Sequence, residues 1–196
     1  MSRRANVTRK TAETEILLNL DVDGTGKFTI DTGLPFFDHM LSHIAKHGVF
    51  DLELKAKGDL QVDPHHTMED CGIALGEAFE TALGNKAGLV RAGSAYMPLD
   101  EALAFAAVDL SGRPYTVLDL RLFGNEVGSI PPDLFNHFLE SFATAAKMNL
   151  HVRTITGVND HHKAEACFKA VARALDAATR VDTRRQGDVP STKGVI

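Results

Sequence analysis

The chain has 196 residues, of which 44% are apolar and 24% are charged, and its formal net charge is −5. This length suits one domain of ordinary size, or two small halves, with a sizeable buried core. No stretch approaches the ~20 consecutive apolar residues of a membrane helix. The acidic balance, with no basic cluster away from the chain ends, disfavours nucleic-acid binding. The sequence therefore predicts a soluble globular protein that binds neither membranes nor nucleic acid.

The N-terminal residues and the two cysteines indicate a cellular compartment. Arg3 and Arg4 are followed by polar residues instead of the apolar core of a secretory signal. Cys71 and Cys167 each come two residues after the glutamate of a repeated motif, so on a helix they face about 200° away from it, toward the core. Buried free thiols fit a reducing compartment. We expect a cytoplasmic protein.

Hydrophobic periodicity places the elements of the first half. Residues 15–20 and 51–55 alternate like strands with one buried face. Between them, a helix should begin near Pro35 and end at Gly48. A second helix should follow Pro64 and end near Gly84. The apolar stripes of these two helices comprise Phe37, Met40, Leu41 and Ile44 in the first, and Ile73, Leu75, Phe79 and Leu83 in the second.

The second half repeats this order. Residues 103–108 and 149–153 match the two strands of the first half, and residues 132–139 match the start of its first helix. A long helix should follow Asp160 as its N-cap. Its apolar stripe comprises Phe168, Val171, Ala174 and Leu175. We predict a loop over residues 122–132 and a mobile end over residues 184–196.

Each half thus reads strand, turn, strand, helix, strand, loop and helix, which makes the chain a tandem duplication. Strands grouped with helices predict an α+β fold of two pseudo-symmetric halves, each a sheet with helices on one face. We assign residues 1–92 to the first half, 93–185 to the second half and 186–196 to a C-terminal tail that can act as a substrate lid.

Two copies of a histidine-rich motif carry the strongest chemical signal. Residues 65–69 read His-His-Thr-Met-Glu, and residues 161–165 read His-His-Lys-Ala-Glu. On a helix, the first histidine and the glutamate of each copy share a face, whereas the second histidine is rotated by about 100°. Adjacent histidines that face different places favour two metal ions, each bound by both copies.

The repeat also selects among the other histidines. His39 and His137 occupy matching positions, whereas the second half has no histidine where His43 and His47 stand. We therefore interpret His43 and His47 as surface or helix-end residues. Eight predicted metal ligands result, namely His39, His65, His66, Glu69, His137, His161, His162 and Glu165.

Imidazole and carboxylate ligands without thiolate suit manganese, iron, cobalt, nickel or zinc, and the spacing does not choose among them. Four ligands per ion would close a tetrahedral zinc site, whereas a six-coordinate ion would keep about two positions open for a substrate. If each half packs its helices outward, the ligand groups need not meet within one chain. Neighbouring subunits would then complete them, so oligomerisation is a structural expectation.

Four runs of the sequence resemble the imidazoleglycerol-phosphate dehydratase family. Residues 35–41 read Pro-Phe-Phe-Asp-His-Met-Leu, residues 65–70 His-His-Thr-Met-Glu-Asp, residues 109–115 Asp-Leu-Ser-Gly-Arg-Pro-Tyr and residues 161–166 His-His-Lys-Ala-Glu-Ala. The resemblance extends over nearly the whole chain. It implies half-domains related to the second domain of ribosomal protein S5. It also implies two Mn²⁺ ions per active site, with other divalent metals as alternatives, and a 24-subunit homo-oligomer with sites at subunit interfaces.

The resemblance further implies a reaction in L-histidine biosynthesis. The family removes water from D-erythro-imidazoleglycerol phosphate to give imidazole acetol phosphate. Metals on both ring nitrogens would favour the imidazolate, which expels the C3 hydroxyl to give a diazafulvene-like intermediate before the C2 proton is lost. By resemblance, Glu13 is the acid/base candidate. The other catalytic candidates are His65, Glu69, His161 and Glu165.

The same resemblance implies a set of substrate contacts, whose cationic members suit phosphate oxygens. The set comprises Glu13, His39, Arg91, Arg113, Lys169, Ser191, Thr192 and Lys193. Because the last three residues lie in the tail, we expect the tail to order when substrate binds.

Two alternatives stay open. A binuclear metal hydrolase uses the same ligand types, although such sites usually share a bridging carboxylate and both glutamates here belong to symmetric motifs. A metal-storage or structural-metal protein that forms a shell would hold many ions per chain, or ions with saturated coordination. Metal counts and product analysis distinguish these three functions.

Overall fold

The computed structural model describes residues 3–185 and 187–196. Met1 and Ser2 of the assigned first half, and Gln186 of the assigned tail, lie outside the described residues. The first half contains β1 (Arg4–Lys10), β2 (Thr14–Asp21), β3 (Phe28–Asp31), α1 (Pro35–Gly48), β4 (Asp51–Gly58) and α2 (His65–Leu83). The second half contains β5 (Ala92–Leu99), β6 (Ala102–Asp109), β7 (Tyr115–Asp119), α3 (Asp133–Ala145), β8 (Asn149–Thr156), α4 (Asp160–Thr179) and a short 3₁₀ helix (Thr183–Arg185).

The two sheets have the same topology. Their strand orders are β1-β2-β4-β3 and β5-β6-β8-β7. In each sheet the first three strands of this order pair antiparallel, and the fourth pairs parallel to its neighbour. The α+β fold and the duplication are confirmed. The two boundaries drawn at residues 92/93 and 185/186 stay predictions, and β5 begins at Ala92.

The helices of both halves form one layer between the sheets. Helix α2 packs on β1 and β2 and against α3, while α4 packs on β5 and β6 and against α1. The core of this layer is aromatic, and the Phe138 ring lies 5.0 Å from Phe37 and 5.8 Å from Phe168 between centroids. The helices therefore face inward, so the outward packing considered from the sequence is wrong.

Close approach of α2 and α3 depends on two glycines. A Cβ atom on Gly72 would lie 2.8 Å from the Phe138 carbonyl oxygen, and one on Gly76 would lie 2.5 Å from the Phe142 carbonyl oxygen. Both distances are far shorter than van der Waals contact, so only glycine permits this helix spacing. The spacing matters because α2 and α3 each carry predicted metal ligands.

Several sequence predictions hold in the core. Helix α1 has the predicted bounds, and Phe37, Met40, Leu41 and Ile44 are all buried. Cys71 and Cys167 are buried and free, as predicted. Burial raises the pKa of the Cys167 thiol to about 12, so this thiol is unreactive at neutral pH.

Other predictions need correction. Strands β1 and β5 were not predicted, because β1 buries only Ala5 fully and β5 buries no residue fully. The N-cap of α4 is Asn159, whose side chain accepts from the backbone of the next helical turn. Asp160 instead accepts hydrogen bonds from the amides of Phe123 and Gly124. Edge strands such as β1 and β5 give a weak alternation of apolar and polar residues. Asn and Asp are equally good N-cap residues, so the sequence does not choose between Asn159 and Asp160.

The C-terminal tail contacts the second half. Arg91 donates to the Pro190 carbonyl at 2.7 Å, and Gly88 donates to the Asp188 carbonyl at 2.9 Å. The tail therefore has defined contacts where a mobile end was predicted. Within residues 3–185 and 187–196, no helix combines the length and apolarity required to cross a bilayer.

Candidate metal centre

The first cluster, which we define as His39, His43, His161 and Glu165, joins α1 of one half to α4 of the other. Glu165 Oε2 lies 3.3 Å from both His39 Nε2 and His161 Nε2. Its other oxygen, Oε1, accepts from Lys169 at 2.5 Å and lies 3.4 Å from His43 Nε2. One carboxylate oxygen thus faces two predicted ligands, and the other is held from behind.

The second cluster, which we define as His65, Glu69 and His137, joins α2 to α3. Glu69 Oε2 lies 3.9 Å from His65 Nε2 and 3.6 Å from His137 Nε2. The rings of His65 and His137 are 4.5 Å apart between centroids. Each cluster thus combines one copy of the repeated motif with a helix histidine from the opposite half, an arrangement produced by the inward packing of the helices.

The donor atoms of both clusters suit a divalent cation. In the first cluster, donors of His39, His43 and Glu165 lie within 4.8 Å of one another, and the three residues of the second cluster meet the same limit. His137 Nε2 is buried without a hydrogen-bond partner among the described residues. A buried nitrogen without a partner is costly, and a coordinated ion would satisfy it.

Burial and the neighbouring basic side chains have opposite effects on the pKa of Glu165. Burial alone would raise its pKa, but the hydrogen bond from Lys169 and the nearby histidines outweigh burial and lower the pKa to about 2. The carboxylate is therefore ionised at any physiological pH, as a metal ligand must be. No lysine or arginine contacts Glu69 within the part of the chain that is described, so the two clusters differ in their electrostatic surroundings.

The second histidine of each motif lies outside both clusters, paired with a carboxylate. His66 Nδ1 lies 3.0 Å from Asp59 Oδ2, and His162 Nδ1 lies 2.7 Å from Glu101 Oε2. These hydrogen bonds raise the pKa of both histidines. A carboxylate on Nδ1 orients the ring and leaves Nε2 as the metal-binding atom. Among the described residues, both histidines thus have an oriented ring whose Nδ1 faces a carboxylate, and neither belongs to the two clusters.

His43 is a correction to the sequence analysis. Its side chain is buried against Glu165 and His39, not exposed at the surface. Burial lowers its pKa to about 4. The repeat comparison failed here because the two halves have diverged, and Ser141 occupies the matching position. His47 lies half-buried in the last turn of α1, where a helix-end residue was predicted.

Glu13 lies on the turn between β1 and β2, beside the second histidine of the first motif. Glu13 Oε1 is 3.7 Å from His66 Nε2. In the other half, Asp100 Oδ2 is 3.9 Å from His162 Nε2. Sequence reasoning missed Asp59, Asp100 and Glu101, because these residues belong to turns without periodicity and only the fold brings them to the histidines.

Several predicted phosphate contacts share a cavity of about 300 Å³. Its polar lining includes Arg91, Arg113 and the tail residues Ser191, Thr192 and Lys193. Arg91 has a backbone φ of 76°, a strained value for a residue with a side chain. Its guanidinium is held by Asp109 at 2.7 Å.

The chain does not gather all predicted site residues. Lys169 contacts Glu165 and is absent from the lining of the cavity that Arg91 and Arg113 share. Glu13 lines a separate cavity of about 370 Å³ with Asp59. Among the described residues, Glu13, the predicted metal ligands and the predicted phosphate contacts are thus distributed over one chain without forming one pocket.

Comparison with known proteins decides the family. A model of the family described as imidazoleglycerol-phosphate dehydratase matches residues 32–175. This chain belongs to the imidazoleglycerol-phosphate dehydratase family. Its relatives of that name include a protein from Roseiflexus sp. (strain RS-1), 55% identical over 195 residues that cover 100% of this chain and 98% of the relative. Another, from Acetivibrio thermocellus, is 52% identical over 196 residues that cover 100% of both chains.

Solved structures of the family agree with the fold. The enzyme from Pyrococcus furiosus, solved in complex with (S)-C348, matches with a TM-score of 0.84 at 35% identity, covering 97% of this chain and 100% of that one. The enzyme from Staphylococcus aureus subsp. aureus N315 matches with a TM-score of 0.83 at 33% identity, covering 91% and 99%. The family resemblance predicted from four sequence runs is confirmed, and the chain is an enzyme of the hydro-lyase class.

Proposed function

We propose that the chain dehydrates D-erythro-imidazoleglycerol phosphate to imidazole acetol phosphate in histidine biosynthesis. The observation that carries this proposal is the presence of two separate histidine–glutamate clusters in a member of this family. The substrate's imidazole ring has two nitrogens, and two metal sites match two nitrogens. The proton to be removed lies on a carbon with no neighbouring carbonyl, so a side chain alone is a poor base for it.

Two divalent cations per active site, Mn²⁺ in the first instance, complete the proposal. His39, His161 and Glu165 would hold one ion, and His65, Glu69 and His137 would hold the other. When bound, these cations would stabilise negative charge on the substrate's imidazole ring and so assist loss of the C3 hydroxyl. Two observations support this assignment: among the described residues His137 Nε2 is buried without a hydrogen-bond partner, and the Glu165 carboxylate is ionised.

Several subunits are needed to assemble this site. His66 and His162 are oriented by carboxylates but lie outside the clusters of their own chain. In the proposed assembly each would complete a metal site of a neighbouring copy, which makes four ligands per ion. We propose a homo-oligomer with sites at subunit interfaces, and the family resemblance suggests 24 subunits.

Other residues of the chain are proposed to transfer the proton, bind the phosphate group and exclude water. Glu13 is proposed to move the C2 proton, because its carboxylate is half-exposed and lies beside His66, a predicted ligand. Arg91, Arg113 and Lys193 would bind the phosphate group within the cavity that they line. Closure of the tail would exclude water from the reacting ring. Lys169 would bind phosphate only after leaving Glu165.

A metal-dependent assay tests the proposed function. Purified protein loaded with Mn²⁺ and given imidazoleglycerol phosphate should form an enolisable ketone, and chelation should abolish this activity. Native mass should show an oligomer, and metal analysis about two ions per chain, as the family resemblance implies. Release of inorganic phosphate without ketone would instead indicate a hydrolase, and many ions per chain without turnover would indicate metal storage.

A further inference from the structure

We infer that Asp70 is a positioning residue that fixes the Glu13 turn against the metal-binding helix α2. Asp70 directly follows the predicted ligand Glu69, but its side chain is buried and turns away from the second cluster. Its Oδ1 accepts from Arg9 Nε at 2.8 Å, and its Oδ2 accepts from the Thr14 hydroxyl. The inference rests on the proposed role of Glu13.

The two partners of Asp70 bracket the Glu13 turn. Arg9 lies at the end of β1, and Thr14 is the first residue of β2. Within the turn, Thr11 Oγ1 accepts from the amides of Glu13 at 3.1 Å and Thr14 at 3.0 Å. Both legs of the turn therefore end on one carboxylate, and Glu13 lies at the tip between them.

Asp70 also links this turn to the metal ligands. His66 and Asp70 are four residues apart on α2, so they are neighbours one helical turn apart. Glu13 reaches His66 Nε2 at 3.7 Å from the other side. One rigid helix thus sets the position of a ligand and, through Asp70, the position of the acid/base candidate. Sites that must hold a reacting geometry to within about 1 Å require such support.

The corresponding turn of the second half, between β5 and β6, is held in a different way. Ala166 matches Asp70, and the β5–β6 turn is held instead by its own Glu101, which accepts from the amides of Val158 and Asn159. That carboxylate also binds His162. In the first half, Asp70 takes over the anchoring, and the Glu13 carboxylate accepts no hydrogen bond from the described residues. Asp70 therefore leaves the Glu13 carboxylate free for proton transfer.

The test is a double-mutant cycle between Asp70→Asn and Glu13→Gln. Asp70→Asn should lower kcat by about 10- to 100-fold, as expected for a misplaced catalytic group, with a smaller change in KM and unchanged metal content. In the Glu13→Gln background it should have almost no further effect on kcat. Independent, multiplying losses in the double variant would overturn the inference.

Two further measurements keep the test decisive. An Asp70 variant that fails to fold gives no kinetic result, so Thr14→Val is the second variant. It removes, at nearly constant volume, the hydroxyl that donates to Asp70 and that also lies 3.2 Å from Thr11 Oγ1. Thr14→Ser restores this hydroxyl and should restore activity. Glu15→Gln is the matched control, since Glu15 belongs to the same hairpin and its carboxylate forms an exposed ion pair with Lys10, its one ion-pair partner among the described residues. Amide hydrogen exchange at residues 11–14 should accelerate in Asp70→Asn. Unchanged exchange would refute the positioning role even if the wild-type protein lacked dehydratase activity.

Discussion

Gly76→Ala tests whether the spacing of α2 and α3 sets the geometry of the second metal cluster. Two effects of opposite sign compete. Alanine is favoured over glycine in a helix by about 1 kcal/mol. The added Cβ atom, however, would lie 2.5 Å from the Phe142 carbonyl oxygen, 2.6 Å from Ala145 Cβ and 2.7 Å from the Ala146 amide nitrogen. All three are backbone or Cβ atoms, which cannot move away by a change of rotamer.

The steric effect should therefore exceed the helix propensity. Relieving this overlap requires α3 to move by about 1 Å, and overpacking of this kind typically costs ~1–3 kcal/mol. Because three such contacts occur at once, we expect a cost in the upper part of this range, about 2–3 kcal/mol. After the propensity gain of about 1 kcal/mol, the net destabilisation is about 1–2 kcal/mol, or a Tm lower by roughly 2–8 °C. Because His137 lies on α3 and Glu69 on α2, the same movement should weaken metal binding at the second cluster and leave the first cluster unchanged.

Thermal unfolding and metal titration measure both consequences in one variant. Glu77→Ala is the matched control, because Glu77 is the adjacent, exposed residue of α2. We expect the control to keep both the wild-type Tm and the wild-type metal stoichiometry. If Gly76→Ala is as stable as wild type and binds the same number of ions with the same affinity, the reasoning from helix spacing is refuted.

Three further predictions follow from the site. Glu101→Gln should lower the affinity of the assembled protein for Mn²⁺ by about 10- to 100-fold, because it removes the carboxylate that orients His162; equal affinity in a metal titration would contradict this. His43 has a folded-state pKa near 4, below its ordinary 6.5, so the unfolded state binds the extra proton. The metal-free protein should lose stability as pH falls from about 6.5 toward 4, and His43→Gln should flatten that slope in denaturant unfolding. Deletion of residues 187–196 should raise KM sharply or abolish turnover, and unchanged kinetics would exclude a role for the tail.

The sequence predicted best what depends on local chemistry. Pro35 and Gly48 bound a helix with a clear apolar stripe, and both bounds of α1 agree with the structure. The internal repeat predicted the elements of the second half and paired His39 with His137, because the two halves could be compared position by position. The same comparison failed at His43, where one half carries a histidine and the other a serine. A repeat identifies what both halves share and says nothing about what one half has acquired.

Residues that act through tertiary contacts could not be predicted. Asp59 and Glu101 reach the second histidines of the two motifs from different turns, after β4 in one half and between β5 and β6 in the other. No sequence alignment of the halves can pair them, since they are not at matching positions. The inward packing of the helices was also beyond the sequence, because an amphipathic stripe shows that a helix is covered but not which element covers it.

Divergence between the halves makes the two metal clusters unequal. Lys169 donates to Glu165 in the first cluster, whereas Ile73 occupies the matching position beside Glu69. The positive charge of Lys169 opposes a second cation at Glu165, whereas no lysine or arginine of residues 3–185 and 187–196 contacts the Glu69 carboxylate. Divalent metal should therefore fill the second cluster first.

Lys169→Met removes the opposing charge and keeps most of the side-chain volume. We expect two distinguishable binding steps in a Mn²⁺ titration of the wild-type protein, and convergence of the two affinities in the variant, caused by tighter binding at the first cluster. Activity is not a suitable measurement here, because Lys169 is also a proposed phosphate contact. Identical two-step titrations of both proteins would show that Lys169 does not control metal binding. The difference between the two affinities would then have a cause other than the residues next to the two glutamates.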